Sequence, residues 1–99
     1  MDIDVKPIKE FVEKHKMNWG DEWMQAGVVS EEAAELKEAV LRYGGHQTKR
    51  EAADVIISVM ILAELKGWLA ELPELVAEKM EENLEKPVGR KLGEKVRKA

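Results

Sequence analysis

Cysteine is absent from this 99-residue chain. Disulfide staples and thiolate zinc sites are therefore excluded, and thiol usage says nothing about the redox compartment. Histidine is scarce. His15 and His46 lie on different segments, and neither stands four residues from another ligand type. No Glu-x-x-His pair occurs, which argues against a ferritin-like di-iron cage; both histidines read as surface or loop residues. Long apolar runs are missing too. The longest, Val55 to Ala63, is interrupted by Ser58 and falls far short of the roughly 20 residues that span a bilayer. The opening Met1-Asp2-Ile3-Asp4 is acidic, unlike the basic start of a secretory leader. A soluble, cytoplasmic protein without a membrane partner is the expectation.

Neither a strand-like alternation nor an internal repeat is evident. Hydrophobic residues make up 44% of the chain and charged residues 36%, the balance of a globular domain. The formal charge is −4, from 16 basic and 20 acidic residues. A general binder of polymeric nucleic acid is usually basic, so that class is disfavoured. An anionic substrate would need local cations. The length suits one domain, and chains this small often complete their core by self-association.

Helical signals dominate. A first helix is predicted from about Asp4 to Lys16, with Asp4 as cap and Pro7 in the first turn. A second runs from about Asp21 to Tyr43 and stops at Gly44-Gly45. Its apolar stripe, Ala26, Val29, Ala33, Leu36, Val40 and Tyr43, predicts the core-facing side. Beside it runs a second stripe, Gln25, Val28, Glu32, Glu35 and Ala39, which places Glu32 at the core edge, Glu35 further round and Glu31 facing away. A third helix is predicted from about Lys49 to Lys66, closed by Gly67 and apolar on almost every side between Ala52 and Ala63. Such a helix is central in a bundle or shared with a partner subunit. The fourth runs from about Leu72 to Glu85 and ends at Pro87. Short connections favour an all-α antiparallel bundle of about four helices over residues 1–87, completed by oligomerisation. Residues 88–99 form a basic tail, with Arg90, Lys91, Lys95, Arg97 and Lys98 against Glu94.

Two acidic clusters carry the chemistry: Glu31-Glu32-Ala33-Ala34-Glu35 and Glu51-Ala52-Ala53-Asp54. In each, two carboxylates three residues apart share one helical face. Both sit among small or apolar residues, where an unpaired carboxylate is costly. Four carboxylates meeting between packed helices make a cage for a hard divalent cation such as Mg²⁺. Each has a plainer explanation. Glu31, Glu35 and Glu38 can pair with Lys37 or Arg42 along the helix. Glu51 can close a capping box with Thr48. Asp54 can meet a lysine from another helix. Lys79 and Asn83, four apart, can bind phosphate and a sugar hydroxyl, although lysine on a helix surface is commonplace. Of the three tryptophans, Trp23 is expected in the core, and Trp19, beside Gly20, is a candidate to stack on a base.

In this order these motifs resemble the MazG-like all-α nucleotide pyrophosphohydrolases. The family signature is E-E-x-x-E followed by E-x-x-D, matched by Glu31-Glu32-x-x-Glu35 and Glu51-x-x-Asp54, with a later K-x-x-x-N matched by Lys79 and Asn83. The match spans roughly Trp19 to Pro87. The resemblance implies an enzyme that uses Mg²⁺ to hydrolyse a nucleoside triphosphate to the monophosphate and pyrophosphate. It implies Glu32, Glu35, Glu51 and Asp54 as metal ligands, Glu31 and Glu35 as catalytic carboxylates, and Lys79, Asn83 and Trp19 as substrate contacts. It also implies a homodimer or homotetramer. Phosphoribosyl-ATP pyrophosphohydrolase, a relative with the same paired helices, is the alternative activity. A non-catalytic helical interaction protein on the same scaffold is the alternative class.

Overall fold

A computed structural model describes residues 3–86. The basic tail expected at 88–99, and Pro87 before it, lie outside the described residues. Four α-helices form, and no strand is present among the described residues. They are α1 (Lys6–Lys14), α2 (Glu22–Arg42), α3 (Gly45–Lys66) and α4 (Leu72–Leu84). Short 3-10 turns at Trp19–Asp21 and Leu69–Glu71 join the first pair and the last. The chain divides into two compact units, Met1–Leu69 and Ala70–Ala99.

Local chemistry explains the helix ends. Asp4 Oδ1 accepts from the Lys6 amide at 3.0 Å, satisfying one orphan donor of the first turn. Asn18 and Asp21 exchange a capping box, with Asn18 Oδ1 accepting from Gly20 N at 3.0 Å and Asp21 Oδ2 from Asn18 N at 2.8 Å. Gly67 ends α3 at φ 83°, the left-handed geometry that favours glycine. The third helix starts one turn earlier than the sequence predicts. Gly44 is its N-cap and Gly45 its first residue, so the glycine pair serves as a sharp helix-to-helix junction.

In the first unit, α2 and α3 form an antiparallel hairpin. Three contacts set its register: Lys66 Nζ pairs with Glu22 at 2.8 Å, Gln25 Nε2 donates to the Ser58 carbonyl at 2.9 Å, and the clustered acids Glu32 and Glu35 meet Glu51. Helix α1 lies against α3, with Ile8 buried and Lys9 within 3.9 Å of Glu64. The buried apolar set is small: Ile8, Ala39, Met60, Ile61, Ala63, Leu65 and Leu69. No large side chain among the described residues is fully enclosed.

Two expectations about α2 are corrected. Its buried side carries Gln25 and Ala39, with Val28 and Glu32 half-buried, which is the stripe holding the acids. Ala26, Ala33, Val40 and Tyr43 are exposed, while Val29 and Leu36 are half-buried. The polar stripe wins because Gln25 has a backbone carbonyl to bond across the hairpin. Trp23, expected in the core, is 83% exposed, and it stands at the rim of a shallow hollow with Ala26, Leu62 and Trp68 instead of beneath a packed element.

Candidate metal centre

Glu32 and Glu35 stand on successive turns of α2, and Glu51 stands on α3 across the hairpin. One carboxylate oxygen from each lies within 4.8 Å of the others. Oxygens bound to one Mg²⁺ sit about 2.9 Å apart in cis positions and about 4.2 Å in trans, given bonds of about 2.1 Å. The three oxygens fit one such ion after a small side-chain adjustment. Water would complete the shell, as Mg²⁺ prefers.

The polar accounting points the same way. Glu32 Oε2 and Glu51 Oε2 are buried and have no hydrogen-bond partner. A buried carboxylate oxygen without donor or cation is costly. Glu51 is held by one neighbour: Gln47 Nε2 donates to its Oε1 at 2.6 Å. Partial burial pushes the Glu32 carboxyl above its ordinary range. The charges of Glu35 and Asp54, a hydrogen bond to Glu35 and the charge of Glu51 add to the effect. Asp54 is exposed and lies outside the three-oxygen group, yet its charge is felt at Glu32.

The plainer explanations fare unevenly. Arg42 pairs with Glu38 at 2.8 Å, not with Glu35. The Thr48–Glu51 capping box does not form, because both residues lie inside α3; Thr48 Oγ1 instead donates to the Gly44 carbonyl at 3.4 Å. No lysine meets Asp54 among the described residues. Glu31 is exposed and has no ion pair among the described residues.

Two open clefts flank the acids. One, of about 710 Å³, reaches from Glu35 and Glu51 to Tyr43, His46 and Gln47. The other, of about 380 Å³, reaches from Glu32 and Asp54 to Gln25, Phe11 and His15. The rings of Phe11 and His15 are 4.3 Å apart, centre to centre. Both histidines are exposed, as expected, but each lines a cleft that ends on the carboxylates. Spacing could not reveal this, because His15 reaches the site from another helix. A faint signal existed in the Phe11–His15 step, four residues apart on one face of α1.

The remaining candidates belong to other elements. Lys79 and Asn83 belong to the second unit, one turn apart on α4. Lys79 Nζ bonds Glu82 at 2.6 Å, and this contact holds the Glu82 carboxyl below its ordinary range. Trp19 opens the 3-10 turn before α2; its proposed stacking role concerns a side chain outside the described residues.

No protein-family model, curated protein or solved structure matches the chain. No helix among the described residues is long and apolar enough to cross a membrane.

Proposed function

We propose that this chain is a Mg²⁺-dependent nucleoside triphosphate pyrophosphohydrolase, releasing the monophosphate and pyrophosphate. One observation carries the proposal: oxygens of Glu32, Glu35 and Glu51, from two helices, cluster within 4.8 Å, and two of these acids keep a buried oxygen without a partner. That is the chemistry of a hard-cation site. When bound, Mg²⁺ offsets phosphate charge and makes a coordinated water easier to deprotonate.

The chain's own residues do the rest. Glu32 of α2 and Glu51 of α3 would hold the cation between the two helices, and Asp54 would add charge at the rim. Glu35, more exposed, would both ligate and accept the proton of the attacking water. That water adds to phosphorus, the bridging P–O bond breaks, and pyrophosphate leaves with its electron pair. The cleft bearing Phe11 and His15 offers two flat rings beside the acids, which suits a base-sized ligand. Glu31 as a second catalytic carboxylate, and Lys79 and Asn83 as phosphate and sugar contacts, rest on the resemblance alone. Cytoplasmic localisation accords with this activity.

The test is a panel of nucleoside triphosphates and phosphoribosyl-ATP, incubated with and without Mg²⁺, with pyrophosphate and monophosphate measured. The expectation is Mg²⁺-dependent release from triphosphates, reduced about 100-fold or more, some 2.7 kcal/mol of barrier, in Glu35→Gln. Turnover of phosphoribosyl-ATP alone would reassign the substrate. No release from any of them, with Mg²⁺ binding undiminished in Glu35→Gln and Asp54→Asn, would leave a non-catalytic helical protein.

A further inference from the structure

Gln25 and Ser58 are 5% and 4% exposed, yet both line the cleft of about 380 Å³ that holds Phe11, His15, Glu32 and Asp54. Their hydrogen bonds decide what they can still offer. The Ser58 carbonyl can only accept, so the amide nitrogen must be the end of Gln25 turned to it, at 2.9 Å. Gln25 Oε1 is the opposite end, and it has no hydrogen bond among the described residues. Nor is it sealed from water, unlike the orphaned oxygens of Glu32 and Glu51. A side chain held almost wholly inside the hairpin thus keeps one acceptor open. Ser58 Oγ gives its proton to the Val55 carbonyl at 2.7 Å, which leaves it lone pairs alone. Glu32 and Asp54, when ionised, accept as well. No lysine or arginine stands among the described residues that line this cleft. It offers rings for stacking and acceptors at its fixed polar positions.

We infer that this cleft selects nucleotides whose base carries an exocyclic amino group, as cytosine and adenine do, against uracil and thymine, and that Gln25 Oε1 is the acceptor that makes the choice. The inference rests on the reading of the carboxylate cluster as a nucleoside triphosphate site, and it names which triphosphates that site takes. Cytosine and adenine present an N–H donor where uracil and thymine present a carbonyl. A carbonyl set against Gln25 Oε1 would bring two acceptors together and leave a nearly buried oxygen without a donor. A site built to bond one group discriminates against the analogue that lacks it, because its own polar group is left unpaired. Gln25 cannot turn its amide to suit the other bases. A flip would break the bond to α3 and set the Gln25 oxygen against the Ser58 carbonyl. The preference is therefore fixed by the packing of the hairpin. The Phe11 and His15 rings, 4.3 Å apart, supply stacking, which every base supports. They set affinity, and Gln25 sets the choice.

Calorimetry of the full chain with Mg²⁺ and the uncleavable α,β-methylene analogues of CTP, ATP and UTP tests it without requiring turnover. The CTP and ATP analogues are expected to bind at least about tenfold more tightly than the UTP analogue. A CTP analogue with hydrogen in place of the 4-amino group should fall to the UTP level. Gln25→Met, which keeps the bulk and removes the carboxamide, should narrow the gap between the CTP and UTP analogues to about threefold or less, with helical circular dichroism retained. If that variant does not fold, the analogue series on the wild type decides. His15→Ala removes a ring and no acceptor edge, so it should weaken all the analogues alike. Equal binding of the CTP and UTP analogues overturns the inference, and so does a Gln25→Met protein that folds and keeps the full gap. Hydrolysis of CTP and UTP at equal kcat/KM also overturns it while leaving the pyrophosphohydrolase reading standing. Preferential binding without hydrolysis of any triphosphate upholds the selectivity and removes the enzyme. Binding of none of the analogues overturns both.

Discussion

Gln47 donates its amide to one oxygen of Glu51 at 2.6 Å and leaves the other oxygen of that carboxylate buried without a partner. The two residues are one turn apart on α3. The hydrogen bond restrains a carboxylate that also takes part in the cluster with Glu32 and Glu35. Outer partners of this kind typically change metal affinity by 10–100-fold. Gln47→Ala should therefore weaken Mg²⁺ binding about tenfold, as measured by calorimetry, while helical content stays the same. Equal affinity in the variant would show that Glu51 is held by packing alone.

The Gln25–Ser58 bond makes a separable prediction. Gln25 is buried, and its amide reaches across the hairpin to a carbonyl of α3 at 2.9 Å. Gln25→Ala removes that bond and leaves a gap between the helices. The expected cost is about 2 kcal/mol of stability, read from urea unfolding. Mg²⁺ affinity should remain within a factor of about three, since Gln25 is not among the clustered acids. A large loss of affinity with little loss of stability would reverse the assignment and place Gln25 among the metal ligands.

Helix existence was legible from periodicity and punctuation. Asp4, Gly67 and Pro73 mark their ends by backbone chemistry that acts locally. What a single sequence could not reveal was which side of α2 finds a partner within the chain. The regular Ala26–Ala33–Val40 stripe reads as core, yet nothing in the described chain covers it. The stripe with Gln25 and Glu32 is the one turned to α3. Periodicity reports that a face wants cover, not which molecule supplies it. The meeting of Glu32, Glu35 and Glu51 was legible because each pair recurs at helical spacing on consecutive helices. The histidine-lined clefts were not, since they depend on how α1 and the glycine junction fold back.

Two glycines should respond oppositely to alanine. Gly67 sits at φ 83°, where a Cβ costs about 1–2 kcal/mol. Gly67→Ala should lower stability by about 1 kcal/mol. Gly27 lies within α2, and a Cβ added there would meet nothing within 4 Å. Gly27→Ala should raise stability by up to about 1 kcal/mol, through the helix propensity gained. Urea midpoints of the two variants, compared at equal protein concentration, check both signs.

The carboxylate cluster itself should cost the cation-free protein stability at neutral pH. Partial burial and the charges of Glu35, Asp54 and Glu51 raise the Glu32 carboxyl above its unfolded value. For an acid raised on folding, the folded state binds the proton more tightly than the unfolded chain does. Its contribution is therefore most favourable below the unfolded value and is lost as pH rises through the folded one. Without Mg²⁺, the melting temperature should rise as pH falls from about 7 toward that window. Glu32→Gln, which keeps the shape and removes the charge, should raise the melting temperature at pH 7 and flatten the pH dependence. Saturating Mg²⁺ should stabilise the wild type at pH 7 by supplying the missing counter-charge, and should do little for Glu32→Gln. Thermal unfolding followed by circular dichroism, with and without chelator, measures all of this. A Glu32→Gln protein less stable than wild type at pH 7 without metal would mean that the carboxylate has a favourable partner, and the cluster would not then be a site waiting for a cation.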